Sequence, residues 1–277
     1  MNFQCFANYT ISTLVINISL GITIVIMKVL ATVLLACFVV AIDAQPRIIN
    51  GSEASISVFP FMASLRSFGE HFCDGTIISN RWILTAARCL IQHPVVEWIE
   101  VYVGSTRLSA GNEGEIYKPT RIVYHAKYDE EKGINDIGLL YLNKDIVFTG
   151  KKTFIPLSSR TYEPVISAYI IGWGSTEPKG NSSDDLQRIV VQIVHQKTCK
   201  LAWKDNPITD SQICIMSRPG TGTCYGDLGS PLIVEGKQVG IASYAHSYAT
   251  GKPEIFTRVV AHRDWIVNKT GIKNWAP

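Results

Sequence analysis

The sequence predicts an all-β protein, and three observations carry that expectation. Short runs rich in Val, Ile and Tyr recur from residue 48 onward: Phe61–Leu65, Gly75–Ile78, Ile99–Val103, Ile137–Leu142, Tyr169–Ile171, Ile189–Ile193 and Gln238–Ser243. Gly, Asn, Asp or Pro separate them, the punctuation expected of strands joined by turns. Only the C-terminal end has helical spacing, where Ala261, Trp265 and Ile266 followed by Gly271 predict a helix over 261–271. Many short strands with one terminal helix fit a sandwich or a pair of barrels.

The 277 residues are 47% hydrophobic and 18% charged, enough for one large domain or two small ones. Lys151–Pro164 is polar, carries two prolines and reads as the connection between two halves. A net charge of +3 is too small to suggest nucleic acid as a partner. Neither repeats nor low-complexity tracts interrupt the chain.

Residues 1–44 differ in kind. From Ile11 to Ile42 almost every residue is apolar, and Lys28 is the one charge. Met27-Lys28, then an apolar core, then Asp43-Ala44 matches a signal peptide over 27–44, leaving 1–26 as an upstream extension. The second reading is a retained membrane anchor, since the run exceeds the roughly 20 residues that span a bilayer. Both deliver the rest of the chain to an oxidising compartment, so it is expected to be secreted, with the membrane as a partner only if the segment stays attached. Five cysteines follow the targeting region: Cys73, Cys89, Cys199, Cys214 and Cys224. Four can pair and one is left over.

Seven segments then resemble the trypsin/chymotrypsin-like serine protease family over essentially all of 47–272. They are Arg47 with Ile48-Ile49-Asn50-Gly51, HFCDGTIIS, WILTAARC (Trp82–Cys89), NDIGLLYL, Gly172-Trp173-Gly174, CYGDLGSPL and PEIFTRV, in the family's order and spacing. The resemblance implies two six-stranded antiparallel barrels, about 48–152 and 165–260, with a C-terminal helix over about 261–271. It implies bridges Cys73–Cys89 and Cys199–Cys214. It leaves Cys224 a free thiol, because His246–Lys252, where its partner belongs, has no cysteine.

The resemblance also locates a catalytic triad and finds it degenerate. The carboxylate is present as Asp136. The imidazole position before Cys89 holds Arg88, and the nucleophile position after Gly226-Asp227 holds Leu228. Guanidinium has a pKa above about 12 and only donors, so it is no general base, and leucine has no nucleophilic atom. The amides of Gly226 and Leu228 remain as a relic of an oxyanion hole. Ser230 stands two residues past the lost nucleophile, several ångströms off for a reaction that tolerates about one. Arg88 is expected to fork onto Asp136 as a structural ion pair.

The specificity pocket has changed too. Its base is Gly222 rather than aspartate, its wall is Ser243-Tyr244-Ala245, and Glu254 replaces a residue that is usually glycine. Glu254 either attracts a basic side chain or belongs to a plugged, solvated pocket; the second reading is preferred. The activation residues look intact. Gln45-Pro46-Arg47 forms a three-residue propeptide, and cleavage after Arg47 by a trypsin-like protease frees the Ile48 amine to pair with Asp227. Asn181 and Asn268 head glycosylation sequons. The expected function is a secreted, non-catalytic protease homologue that binds or regulates an extracellular protein or peptide, with a cleavage-triggered change of shape. It calls for no cofactor and no metal. The alternative is an active trypsin-like endopeptidase.

Overall fold

A computed structural model describes residues 51–109, 111, 113–162, 164, 166–175, 180–217, 223, 226–244, 252–273 and 275–276. The chain enters through β1 (Ser52–Glu53), and seven strands then build the first barrel. These are β2 (Met62–Ser67), β3 (Glu70–Ile77), β4 (Trp82–Thr85), β5 (Ile99–Val103), β6 (Glu115–Tyr117), β7 (Pro119–Tyr124) and β8 (Gly138–Leu142). Their order is β6-β5-β2-β3-β4-β8-β7, antiparallel throughout. The two ends of that path are consecutive in the chain, with Lys118 alone between them. One bent strand thus pairs with β5 by its first half and β8 by its second, and the sheet closes as six strands.

The second barrel uses β10 (Ser167–Gly172), β11 (Gln187–Ile193), β12 (Gln212–Met216), β13 (Pro231–Val234), β14 (Lys237–Tyr244) and β15 (Glu254–Arg258). Their order is β13-β10-β11-β12-β15-β14, and pairing of β13 with β14 closes the ring. β1 adds to β11, the short strand β9 (Leu157–Ser158) adds to β14 in parallel, and β16 (Trp275–Ala276) adds in parallel to β9.

Each barrel follows from its pattern. β11 alternates buried and exposed along its length, as a strand with one face to a core must. Its inward Ile189, Val191 and Ile193 pack with Ile170, Leu232 and Phe256. In the first barrel Leu65, Ile83, Leu84, Val101, Leu139 and Leu140 fill the centre. The β2–β3 and β13–β14 hairpins turn on Phe68-Gly69 and Glu235-Gly236, all four with positive φ. That pair of left-handed residues matches the right-handed twist of the strands it joins.

The expected two-barrel fold and C-terminal helix are both present. The helix begins as a 3₁₀ turn, Val259–His262, continues as an α-helix over Arg263–Thr270, and stops at Gly271 with φ 70°. Two short helices were not expected: α1 (Ala87–Gln92) and α2 (Gln196–Ala202), so the C-terminal one is α3. Both bridges implied by the resemblance form, Cys73–Cys89 and Cys199–Cys214. Among the described residues no helix is long and apolar enough to cross a membrane.

Candidate active site

α1 begins right after β4, so Arg88 stands at its second residue, and the loop leading into β8 brings Asp136 beside it. Asp136 is fully buried. One carboxylate oxygen accepts the backbone N–H of Arg88 at 2.8 Å, and the other accepts the Ser243 hydroxyl at 2.8 Å. Burial pushes the Asp136 carboxyl above the usual range, and these donors pull it part of the way back.

The guanidinium does not fork onto Asp136 as expected. Its Nη2 donates to the Glu130 carbonyl at 2.8 Å, and Nη1 lies 3.9 Å from the exposed Glu130 carboxylate. The physical reason is local. The backbone N–H at the helix start already occupies one Asp136 oxygen and Ser243 the other, so the longer side chain gains more from an unclaimed carbonyl at the surface.

Leu228 sits on the turn before β13, partly buried and packed against the first-barrel core. Its carbonyl accepts the Asp74 N–H at 2.8 Å, tying that turn to β3. Ser230 is fully buried and donates to Asp74 Oδ2 at 2.6 Å. The hydroxyl is therefore engaged on Asp74.

Glu254 is buried to 2% exposure, so its carboxylate is not solvated. Its carboxylate accepts the Thr223 N–H at 3.0 Å, the Thr223 hydroxyl at 2.5 Å and the Ser217 hydroxyl at 2.8 Å. Burial raises its carboxyl, and these three donors offset part of the rise. The carboxylate thus ties Thr223 to Ser217. Of the other pocket residues, Ser243 serves Asp136, and Tyr244 continues β14 by pairing with Ile255. Arg47, Ile48, Gly222, Cys224 and Ala245 lie outside the described residues.

Gly226 lines a cavity of about 720 Å³ with Arg66, Glu70, His71, Ser182 and Asp184. Asn181 is exposed on its rim and Asn268 is exposed on α3, so both sequons lie at the surface.

Comparison with known proteins decides the family. The Trypsin family profile matches residues 48–266. The chain belongs to the trypsin family. Among relatives of this trypsin-family chain, Chymotrypsin-2 of Vespa crabro is 39% identical over 226 residues, covering 79% of this chain and 98% of that protein. A trypsin of Phaedon cochleariae is 32% identical, covering 83% and 92%. Among solved structures, human heparin binding protein superposes with a TM-score of 0.71 at 29% identity, covering 83% of this chain and all of that one.

One residue of this trypsin-family chain escaped sequence reasoning altogether. Asp74, within the HFCDGT run, is fully buried beside Asp227, itself 1% exposed. Its Oδ2 also accepts the Trp173 N–H at 3.3 Å. Burial first, then the Asp227 charge, raises the Asp74 carboxyl well above its ordinary value. His71 sits next to it, with Nδ1 2.9 Å from the Ser64 hydroxyl and Nε2 3.1 Å from the Gly226 carbonyl. Burial lowers the His71 imidazole to about 4. The only signal in the sequence was an acid inside a run of small and apolar residues, visible as anomalous once β3 is known to be buried on both faces.

Proposed function

We propose that this chain is a secreted, non-catalytic member of the trypsin family that binds or regulates an extracellular protein or peptide. The observation that carries the reading is the composition of the catalytic neighbourhood. Asp136 is placed to orient an imidazole, yet the side chain at the imidazole position is the Arg88 guanidinium, turned away to Glu130. The nucleophile position holds the hydrocarbon side chain of Leu228. Acyl transfer needs a base that accepts a proton and an atom that attacks, and neither group supplies one. Glu254 adds support, because a carboxylate bonded to Thr223 and Ser217 is not offered to a substrate. Fold alone does not assign function. One structural relative is named for binding heparin rather than for a reaction.

The same reading includes a trigger. Cleavage after Arg47 frees the Ile48 amine to pair with buried Asp227, which already accepts the Gly174 N–H at 3.0 Å. Secretion through the signal peptide, glycosylation at Asn181 and Asn268, and an activating trypsin-like protease complete the proposal.

The competing reading, an active endopeptidase, is favoured by relatives named chymotrypsin and trypsin. The test is to cleave the purified chain after Arg47 and assay a broad peptide library together with an active-serine probe. No turnover above a heat-denatured control is expected; turnover abolished by Asp136→Ala overturns the proposal. Restoring Arg88→His with Leu228→Ser is expected to recover probe labelling, since Asp136 is already in place.

A further inference from the structure

Beside the catalytic neighbourhood lies a groove that the proposed function leaves unused, and its walls are bonded to one another. It is the cavity of about 720 Å³ bordered by Gly226, between the β2–β3 hairpin, the turn at 108–109 and the segment 180–184. The Leu108 N–H donates to the Asp184 carbonyl at 2.9 Å. The Ser109 N–H and hydroxyl donate to the Asp184 carboxylate at 2.6 and 2.7 Å. Arg66 Nη2 donates to the Leu108 carbonyl at 2.8 Å, and His71 Nε2 donates to the Gly226 carbonyl at 3.1 Å. The groove is therefore preformed, and its size suits an organic ligand.

The lining says what kind of ligand. Glu70 is exposed, and a carboxylate can accept from two neighbouring hydroxyls. The Arg66 guanidinium carries more N–H donors than Ser64 and Leu108 take up, so it can also serve a carbonyl oxygen. Phe72 is half-buried, held against His93 with ring centroids 3.7 Å apart, and gives the groove an apolar surface. One cation, Arg66, stands against two acids, Glu70 and Asp184, which disfavours an anionic ligand. An apolar ligand leaves the polar lining unmatched. A neutral polyhydroxylated ligand bearing an amide matches the carboxylate, the guanidinium and the ring together.

We propose that this groove is a carbohydrate seat, and that its occupant is the N-acetylglucosamine stem of a glycan on the chain's own Asn181. The inference rests on the glycosylation included in the proposed function and adds where that glycan lies. Asn181 heads the sequon Asn181-Ser182-Ser183 and itself lines the groove. The linkage is made during secretion: the Asn181 amide nitrogen displaces a lipid pyrophosphate from C1 of the first sugar and loses a proton. A sugar tethered at the rim meets the groove at an effective concentration in the millimolar range, which compensates for the weak affinity of a single saccharide. Glu70 accepts from its hydroxyls, Arg66 donates to the acetamido carbonyl, and Phe72 covers a face of C–H groups. A glycan lying there closes the groove to a peptide.

The test uses the full chain secreted from a glycosylating host and treated, still folded, with a peptide N-glycosidase. Mass spectrometry follows release at each sequon, and the exposed Asn268 on α3 serves as the internal reference. Release at Asn181 is expected to be about tenfold slower than at Asn268, and equally fast once the chain is denatured. Glu70→Ala is expected to speed release at Asn181 by about fivefold and to leave Asn268 unchanged. Hydrogen exchange over residues 69–72 is expected to be about tenfold slower in the glycosylated chain than in Asn181→Gln. An unmodified Asn181 overturns the glycosylation and the seat with it. A modified Asn181 released as fast as Asn268 overturns the seat and leaves the glycosylation standing. Slow release that ignores Glu70→Ala, with exchange over 69–72 unchanged, also overturns the seat, because crowding alone then shields the linkage.

Discussion

Two neighbourhoods of this molecule treat a buried carboxylate in opposite ways. Asp136 has both oxygens filled by donors, the Arg88 amide and the Ser243 hydroxyl. Asp74 has one oxygen filled and one empty, with a second acid beside it. The first arrangement is finished, because it gains nothing from a ligand. The second keeps one oxygen without a hydrogen bond, and burial favours its protonated form. The difference is one of compensation: donors complete Asp136, whereas burial and the neighbouring Asp227 charge leave the Asp74 carboxyl favouring its neutral form.

The strongest link between the two is the Cys73–Cys89 bridge, whose half-cystines are the direct neighbours of Asp74 and Arg88. Closing a loop of sequence separation 16 restricts the unfolded chain by about 3 kcal/mol. Replacing both cysteines by alanine is expected to lower unfolding stability by that amount, the largest effect among these changes. Chemical denaturation measures it. A loss under about 1 kcal/mol would mean that β3 and α1 are held together by packing alone.

The Asp74 side is also expected to dominate the acid response. The folded His71 is neutral to about pH 4, while an unfolded histidine takes a proton near 6.5. Between those values the unfolded state binds more protons, so His71 stabilises the fold as pH rises and loses that contribution as pH falls. Asp74 acts with the opposite sign. Its folded carboxyl titrates higher than the unfolded one, so its contribution is greatest in acid and declines as pH rises. The stability difference between wild type and His71→Gln should therefore grow in wild type's favour by about 3 kcal/mol from pH 4 to 6.5. A flat difference would place a proton on buried His71 and give Asp74 a partner.

Glu254 is a third buried acid and resembles Asp136 in being fully served. Glu254→Ala strands the Thr223 amide, the Thr223 hydroxyl and the Ser217 hydroxyl, with an expected loss of about 2 kcal/mol. Proteolytic nicking around Thr223 is expected to accelerate in the same variant, and unchanged nicking would show that the carboxylate does not hold that segment.

The framework was largely legible in the chain, because its strands carry period-two or all-apolar patterns and the family motifs keep their spacing. All seven strand runs read from the sequence fall within or overlap β2, β3, β5, β8, β10, β11 and β14. Among those missed, Trp82–Thr85 and Pro231–Val234 are four residues long and too short to show a period. α1 and α2 escaped for the same reason. In the site, the identities of Arg88, Asp136 and Leu228 were readable, but the direction of a long side chain was not. Arg88 was matched to Asp136 by charge, and the backbone amide had already taken that role. Asp74 was hidden more deeply, since its meaning lies in Asp227 and Ser230, more than 150 residues away.

The smallest expected effect is therefore also the sharpest test of the Asp136 neighbourhood. If the Arg88 amide and Ser243 complete Asp136, then Arg88→Ala keeps the bond that matters, because truncation leaves the backbone N–H in place. What it removes is a surface hydrogen bond to the Glu130 carbonyl and a long contact with an exposed carboxylate, worth under about 1 kcal/mol. Ser243→Ala, by contrast, empties a buried oxygen and should cost about 1–2 kcal/mol. Thermal unfolding of the two variants side by side gives the ranking. If Arg88→Ala proves the more damaging, the guanidinium is neutralising Asp136 across a distance without touching it. The Asp136 neighbourhood would then depend on a cation.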